Sequence, residues 1–143
     1  ASLQIVIQDM CDTMRAFAGV GIAAPQIGIS KRLIIFGFDT NPRYPNRAAI
    51  PFTILMNPVF TPVDQHKQED WEGCLSVPGL RCLVERYQNI EYCGYDVISK
   101  KEIKRLVSGF HARVIQHEVD HLDGILFPMR TNNIKSLSFE SEL

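Results

Sequence analysis

Leu3, Ile7, Met10, Met14 and Phe17 recur at steps of three and four, the spacing of one helix face, and Gly19 ends the run. Residues 3–17 are therefore expected to form an amphipathic helix. "GVGIAAPQIGIS" (19–30) loses the period to three glycines and Pro25 and reads as a loop. "KRLIIFGF" (31–38) is an apolar run of strand length, expected to be buried. Prolines 42, 45 and 51 make 39–51 a long polar loop. "FTILMNPVF" (52–60) reads as a second strand, cut or bulged at Pro58.

Residues 61–79 alternate too little to be more than a loop with short extended pieces. "RCLVERYQNIEYCGYDV" (81–97) is rich in β-formers and reads as one or two strands, and 99–108 as a polar hairpin entering a short strand. Residues 109–123 form the clearest helix, with Ser108 as N-cap and Gly124 as its stop. The tail 133–143 is expected to add a short helix. Strands come before the long C-terminal helix rather than alternating with helices, so the expected class is α+β. No repeat or linker divides the chain, and 1–143 is expected to be one domain.

A chain of 143 residues buries roughly 70% of its unfolded surface and needs no disulfide staple. With 15 basic and 16 acidic side chains the net charge is −1, which argues against a binder of nucleic-acid backbones. No apolar run is long enough for a membrane helix, and no signal peptide is visible. The chain starts at Ala1 without a methionine, so a processed or trimmed chain is expected. Cys11, Cys74, Cys82 and Cys93 form no CxxC pair, and free thiols in a reducing interior are expected unless one is a ligand.

The helix at 109–123 carries the chemistry. In "IQHEVDHLDG" (115–124) His117 and His121 stand four apart on the stripe of Phe110 and Val114, where two imidazoles can grip one metal ion. Glu118, beside the first histidine, completes an HExxH pattern and is the candidate general acid/base. Asp120 points away and is expected to support the site from behind or to lie on the surface. A catalytic centre needs a third ligand. Cys74, Cys82, His66, His111, Glu69, Asp70 and Glu72 offer suitable atoms. His111 lies off the ligand face and His66 sits in a charged run. Cys74, in "EGCLSVPG", stands out as a thiol in a braced loop, though a buried free thiol is the competing reading.

Taken together, "GVGIAAPQIG" (19–28), "EGCLS" (72–76) and "QHEVDHLDG" (116–124) resemble the three signature motifs of the peptide deformylases, in the same order. The resemblance runs on through "NP" (57–58), "GYD" (94–96) and "ARVIQHE" (112–118) and covers nearly the whole chain. It implies antiparallel or mixed sheets packed around a central HExxH helix, and removal of the formyl group from the N-terminal formyl-methionine of new polypeptides. It also implies Cys74, His117 and His121 as ligands of one divalent metal, Fe(II) in the cell, with zinc, nickel or cobalt as substitutes. Glu118 would be the acid/base for a metal-bound hydroxide attacking the formyl carbon. Gln26, by its amide, and Leu75, by its N–H, would hold the formyl oxygen. Gly21, Val20, Gly73, Phe110 and Val114 would border the substrate, and Glu72 would pair with Arg86.

Two departures from the family pattern stand out. A segment with an early strand, usual ahead of the first helix, is expected to be missing, and Cys82 stands where alanine or glycine is usual. The "NPRYPNRAAIP" loop is similar to a branch found in bacteria and organelles, so a bacterial cytoplasm or an organelle is the expected location. The expected partners are formyl-methionyl nascent peptides, with transient ribosome contact through "KKEIKR" (100–105) and no membrane. An HExxH protease would need a downstream His or Glu ligand, and after His121 only Glu140 and Glu142 remain. A catalytically silent metal-binding protein is the rival from another class.

Overall fold

The computed structural model describes residues 2–143. Helix α1 (Leu3–Ala16) is followed by β1 (Gly21–Ala23), a 3-10 turn at Ala24–Ile27, β2 (Leu33–Phe38) and β3 (Ile50–Pro62). Then come β4 (Lys67–Cys74), β5 (Val77–Tyr87), β6 (Asn89–Asp96), β7 (Lys101–Ser108), helix α2 (Gly109–Leu122) and a tail with the two-residue β8 (Ser138–Phe139). The pairings are antiparallel: one sheet runs β1-β2-β3-β6-β7 and the other β4-β5-β8. The class is α+β, as expected, with α2 central.

Strand β2 explains why its sequence shows no alternation. Ile34 and Phe36 pack towards α2 with Leu55, Ile90, Ala112, Ile115 and Val119. Leu33 and Ile35 pack on the other side with Val6, Met10 and Met14 of α1. Both faces are covered, so every position must be apolar. The polar side of α1 stays in water, Ser2 Oγ accepts from Ile5 N–H at 3.4 Å, and Arg15 sits favourably in the last turn.

Several elements differ from the sequence-based expectation. β3 starts at Ile50, two residues earlier than expected, and of the two expectations at Pro58 it takes the bulge, between Met56 and Val59, where Asn57 has φ 52°. β1 lies in a stretch read as loop, and it is only three residues long. Most of 61–79 is hairpin β4–β5, whose pattern was hidden because the inward residue Glu72 is charged rather than apolar. The tail forms 3-10 turns and β8, not a regular helix. Ser108 does occupy the N-cap of α2, but its hydroxyl makes no capping bond. Among the described residues no helix is long and apolar enough to cross a membrane.

Gly37 sits at the irregularity between Phe36 and Phe38 with φ 127°, and its N–H donates to Val20 O at 3.0 Å. A Cβ there would lie 2.5 Å from Phe52 Cα, a backbone atom that cannot swing aside. Gly37→Ala is expected to lower stability by about 3 kcal/mol or more. Urea denaturation checks this; a loss below about 1 kcal/mol would mean that the bulge relaxes freely.

Candidate metal centre

Helix α2 and the β4–β5 hairpin meet at a group of three donors. Cys74, at the end of β4, and His117 and His121, one turn apart on α2, place one ligand atom each within 4.8 Å of one another. Cys74 Sγ lies 3.2 Å from His121 Nε2 and also accepts from Ser76 N–H at 3.4 Å. Burial pushes the Cys74 thiol up, but contacts with both imidazoles outweigh it and bring the group to about 5. Burial likewise works against a charged His117, yet its bonds to Cys74 and Glu72 raise it to about 10. One sulfur and two imidazole nitrogens converging on a single buried space form a donor set that suits a divalent transition metal.

The support behind His117 is a buried ionic cluster. Glu72 Oε1 accepts from His117 Nδ1 at 3.0 Å and Arg86 Nη2 at 2.9 Å, leaving the other imidazole nitrogen for the centre. Glu72 Oε2 accepts from Arg86 Nε at 2.9 Å and Arg113 Nη1 at 2.5 Å. Burial alone would raise the Glu72 carboxyl, but the bonds to Arg86 and His117 hold it far below the usual carboxylate range. The Glu72–Arg86 pair is present, and Arg113 is a second cation that the sequence reading missed. Of the two places expected for Asp120, the structure shows support from behind: it is 5% exposed and accepts from Arg86 at 2.6 Å and from Arg130 at 2.9 Å and 3.0 Å.

Glu118 faces the same space from α2. It is 4% exposed, and its Oε1 has no hydrogen-bond partner among the described residues. Burial pushes its carboxyl up to about 7, against the pull of His117 and His121. A Cβ at Gly21 would come within 2.6 Å of Glu118 Oε2, so the bare backbone of β1 makes the room that this carboxylate fills.

Gln26, in the turn after β1, has its amide oriented at both ends. Its Oε1 accepts from Ala23 N–H at 2.8 Å, which leaves the NH₂ directed inward, donating to Ser76 Oγ at 2.9 Å and 3.8 Å from Cys74 Sγ. Ser76 is a second neighbour the sequence reading did not single out; its place two residues after Cys74 was the available signal. One cleft joins these groups, bordered by Val20, Gly21, Gln26, Gly73, Cys74, Leu75, Phe110, Val114, His117 and Glu118. Arg43, Tyr44, Trp71 and Arg113 also line it and were not anticipated.

The other sequence candidates lie elsewhere. His66 and Glu69 are exposed and Asp70 pairs with Arg47. His111 shares a proton with Tyr92 at 2.9 Å on another side of α2. Cys82 is fully buried with Val84 and Phe127, as a small apolar group.

Residues 1–137 match the family model for polypeptide deformylase. Peptide deformylase 1 of Nitrosomonas europaea is 52% identical over 141 residues, 99% of this chain and 80% of that protein. A crystal structure of a class I type b peptide deformylase from Acinetobacter baumannii with Met-Ala-Ser bound superposes with a TM-score of 0.84 at 40% identity, covering 90% of this chain and 80% of that one. A Synechococcus elongatus peptide deformylase in complex with actinonin gives 0.80 at 35% identity, covering 94% and 68%.

Glu72 tests how far the centre depends on its support. Arg86→Glu places a second carboxylate beside it in a buried cluster, so a loss of about 3–5 kcal/mol of stability is expected. Divalent-metal affinity should fall about 10- to 100-fold, as for other residues that orient a ligand histidine. Denaturation and competition against a chelator measure the two; unchanged affinity would separate the cluster from the centre.

Proposed function

The chain belongs to the polypeptide deformylase family, metal-dependent hydrolases that remove the formyl group from N-terminal formyl-methionine, and we propose that Cys74, His117 and His121 hold its metal while Glu118 moves the proton. The chain is an enzyme of that class. The observation that carries the assignment of roles is Glu118: a buried carboxylate with an unpartnered oxygen, facing a thiolate–imidazole cluster across a cleft.

A divalent cation at these donors supplies Lewis acidity, lowering the pKa of water and polarising a carbonyl. Glu118 accepts a proton from the attacking water as its oxygen joins the formyl carbon, then delivers that proton to the departing nitrogen. One C–N bond breaks, and formate and a free N-terminal amine leave. The Gln26 amide and Leu75 N–H donate to the formyl oxygen as negative charge grows there. Gln26 suits this because Ala23 and Ser76 already orient it, so little reorganisation remains.

Val20, Phe110 and Val114 provide an apolar wall for the methionine side chain. Gly21 and Gly73 border the cleft beside the substrate, and Gly21 leaves Glu118 the room it fills. The Acinetobacter relative holds Met-Ala-Ser, a peptide that begins with methionine. Residues 1–143 act as one catalytic domain in this reading. Thiolate and imidazole together accommodate Fe(II), which we take as the cellular metal, with zinc, nickel or cobalt able to replace it. Nascent formyl-methionyl chains place the work in the bacterial cytoplasm or an organelle. The exposed lysines 100, 101 and 104 at the edge of the larger sheet are the candidates for transient ribosome contact.

Formate release from a formyl-Met peptide tests the roles. Glu118→Gln is expected to cost about 10²–10⁴ in kcat with the metal retained. Gln26→Ala should cost about 10²–10³. Chelation should abolish turnover, and Fe(II) added without oxygen should restore it. Full activity in Glu118→Gln, or cleavage of an unformylated peptide with no formate released, would overturn the assignment.

A further inference from the structure

The cleft opens past Gly73 onto two arginines that deformylation does not use. Arg43, from the loop between β2 and β3, lines the cleft with Tyr44 and Trp71, and Arg81 of β5 borders the adjoining surface hollow. A Cβ at Gly73 would meet Arg43 Nη2, Arg81 Cγ and Arg81 Nε at 3.4 Å each. Both side chains therefore lie against the backbone immediately before Cys74. Tyr44 holds them in place: their Cζ atoms stand 5.8 Å and 5.4 Å from its ring centroid. The ring is itself packed on Phe110 at 5.0 Å.

Two guanidiniums this close repel unless an anion joins them. The other arginines around the cleft have partners built into the core or the sheet: Arg113 has Glu72 and Arg47 has Asp70. Arg43 and Arg81 have Glu140. Its Oε1 lies 2.7 Å from Arg81 Nε and 3.6 Å from Arg43 Nη2. The two arginine side chains are 24% and 19% exposed, the glutamate 40%. The cations are thus better seated than the anion they share. That anion arrives at the end of the tail, which is fixed to β5 by Thr131 and Ser136 bonding Leu83 and by the two-residue β8, while Phe139 and Leu143 beside Glu140 lie largely in water. An ion pair whose carboxylate is this exposed, carried on a 3-10 turn at the end of the tail, is weakly held.

We propose that Arg43 and Arg81 form a carboxylate-binding site at the mouth of the cleft. It takes an acidic side chain of the substrate a few residues after formyl-methionine, and Glu140 is its resident, displaceable occupant. The proposal rests on the deformylase reading and extends it to substrate preference. The site joins the catalytic cleft through Arg43 and Gly73, so a peptide that extends from Cys74 past Gly73 meets both guanidiniums. A carboxylate there exchanges one anion for another and leaves no cation unpaired. A neutral side chain leaves Glu140 in place and gains nothing.

The test compares C-terminally amidated formyl-Met peptides with Glu or Gln at the second or third residue after methionine. At low salt the wild-type enzyme should favour Glu at one of these positions by roughly three- to tenfold in kcat/KM, expressed in KM, and high salt should erase the preference. Glu140→Gln should enlarge the Glu/Gln ratio severalfold while leaving the Gln peptides unchanged. Arg81→Ala should bring the ratio to one and Arg81→Lys should restore part of it; Arg43→Gln, on a surface loop, should act like Arg81→Ala. A ratio of one in the wild type, or one indifferent to Glu140→Gln and Arg81→Ala, overturns the proposal. A gain seen only with a free C-terminal carboxylate overturns the side-chain assignment. Failure of the wild type to release formate from the Gln peptides would instead count against the deformylase reading itself.

Discussion

Glu72 is a carboxylate out of contact with water, and the centre is arranged around what that costs. A lone buried carboxylate is prohibitive, so the charge must be matched on every side. Arg86 reaches it across the β4–β5 hairpin, and Arg113 and His117 reach it from α2. The same four side chains thereby lock hairpin and helix in one relative position. Cys74 lies two residues beyond Glu72 on the same strand, so the thiol is carried to the imidazoles by the strand that anchors the carboxylate. Because Glu72 takes the Nδ1 side of His117, the ring presents its other nitrogen to the centre. Such partners orient ligands and raise their basicity.

The opposite wall is organised by shape rather than charge. β1 pairs with β2, and β2 is covered on both faces, so the turn bearing Gln26 stands on a rigid base. At Gly21 the backbone comes so near Glu118 that any side chain would strike the carboxylate. Glu118 is therefore confined without being hydrogen-bonded through Oε1. A group held still and unsatisfied suits proton transfer, because an incoming water supplies what the protein withholds. Towards solvent the pattern loosens, and the ion pairs at the cleft mouth rest on a short, exposed tail.

Periodicity carried α1, β2 and α2, because the residues that face a core along one helix or strand are neighbours in the chain. The histidine pair and Glu118 were legible for the same reason: one turn of helix sets their spacing. Cys74 stood out among several candidates by its braced loop, and its resemblance to a motif then ranked it as a ligand rather than a buried free thiol. The β4–β5 hairpin escaped the pattern because its inward positions include Glu72 and Arg86, which count as polar until they are seen to neutralise each other. For Asp120 the sequence left open support from behind or a surface place, and its bonds to Arg86 and Arg130 decide for support.

The chain's local order thus settled which segments are helical or extended, and which side chains could bind a metal. Tertiary packing alone decided which thiol joins the imidazoles, that Arg113 shares Glu72, and that Gln26 turns its amide towards Ser76. It also decided that the tail brings Glu140 to Arg43 and Arg81. The physical reason is the same in each case. Spacing along a helix or strand follows from backbone geometry within a few residues. Pairing of buried charges across dozens of residues depends on which faces the apolar core brings together.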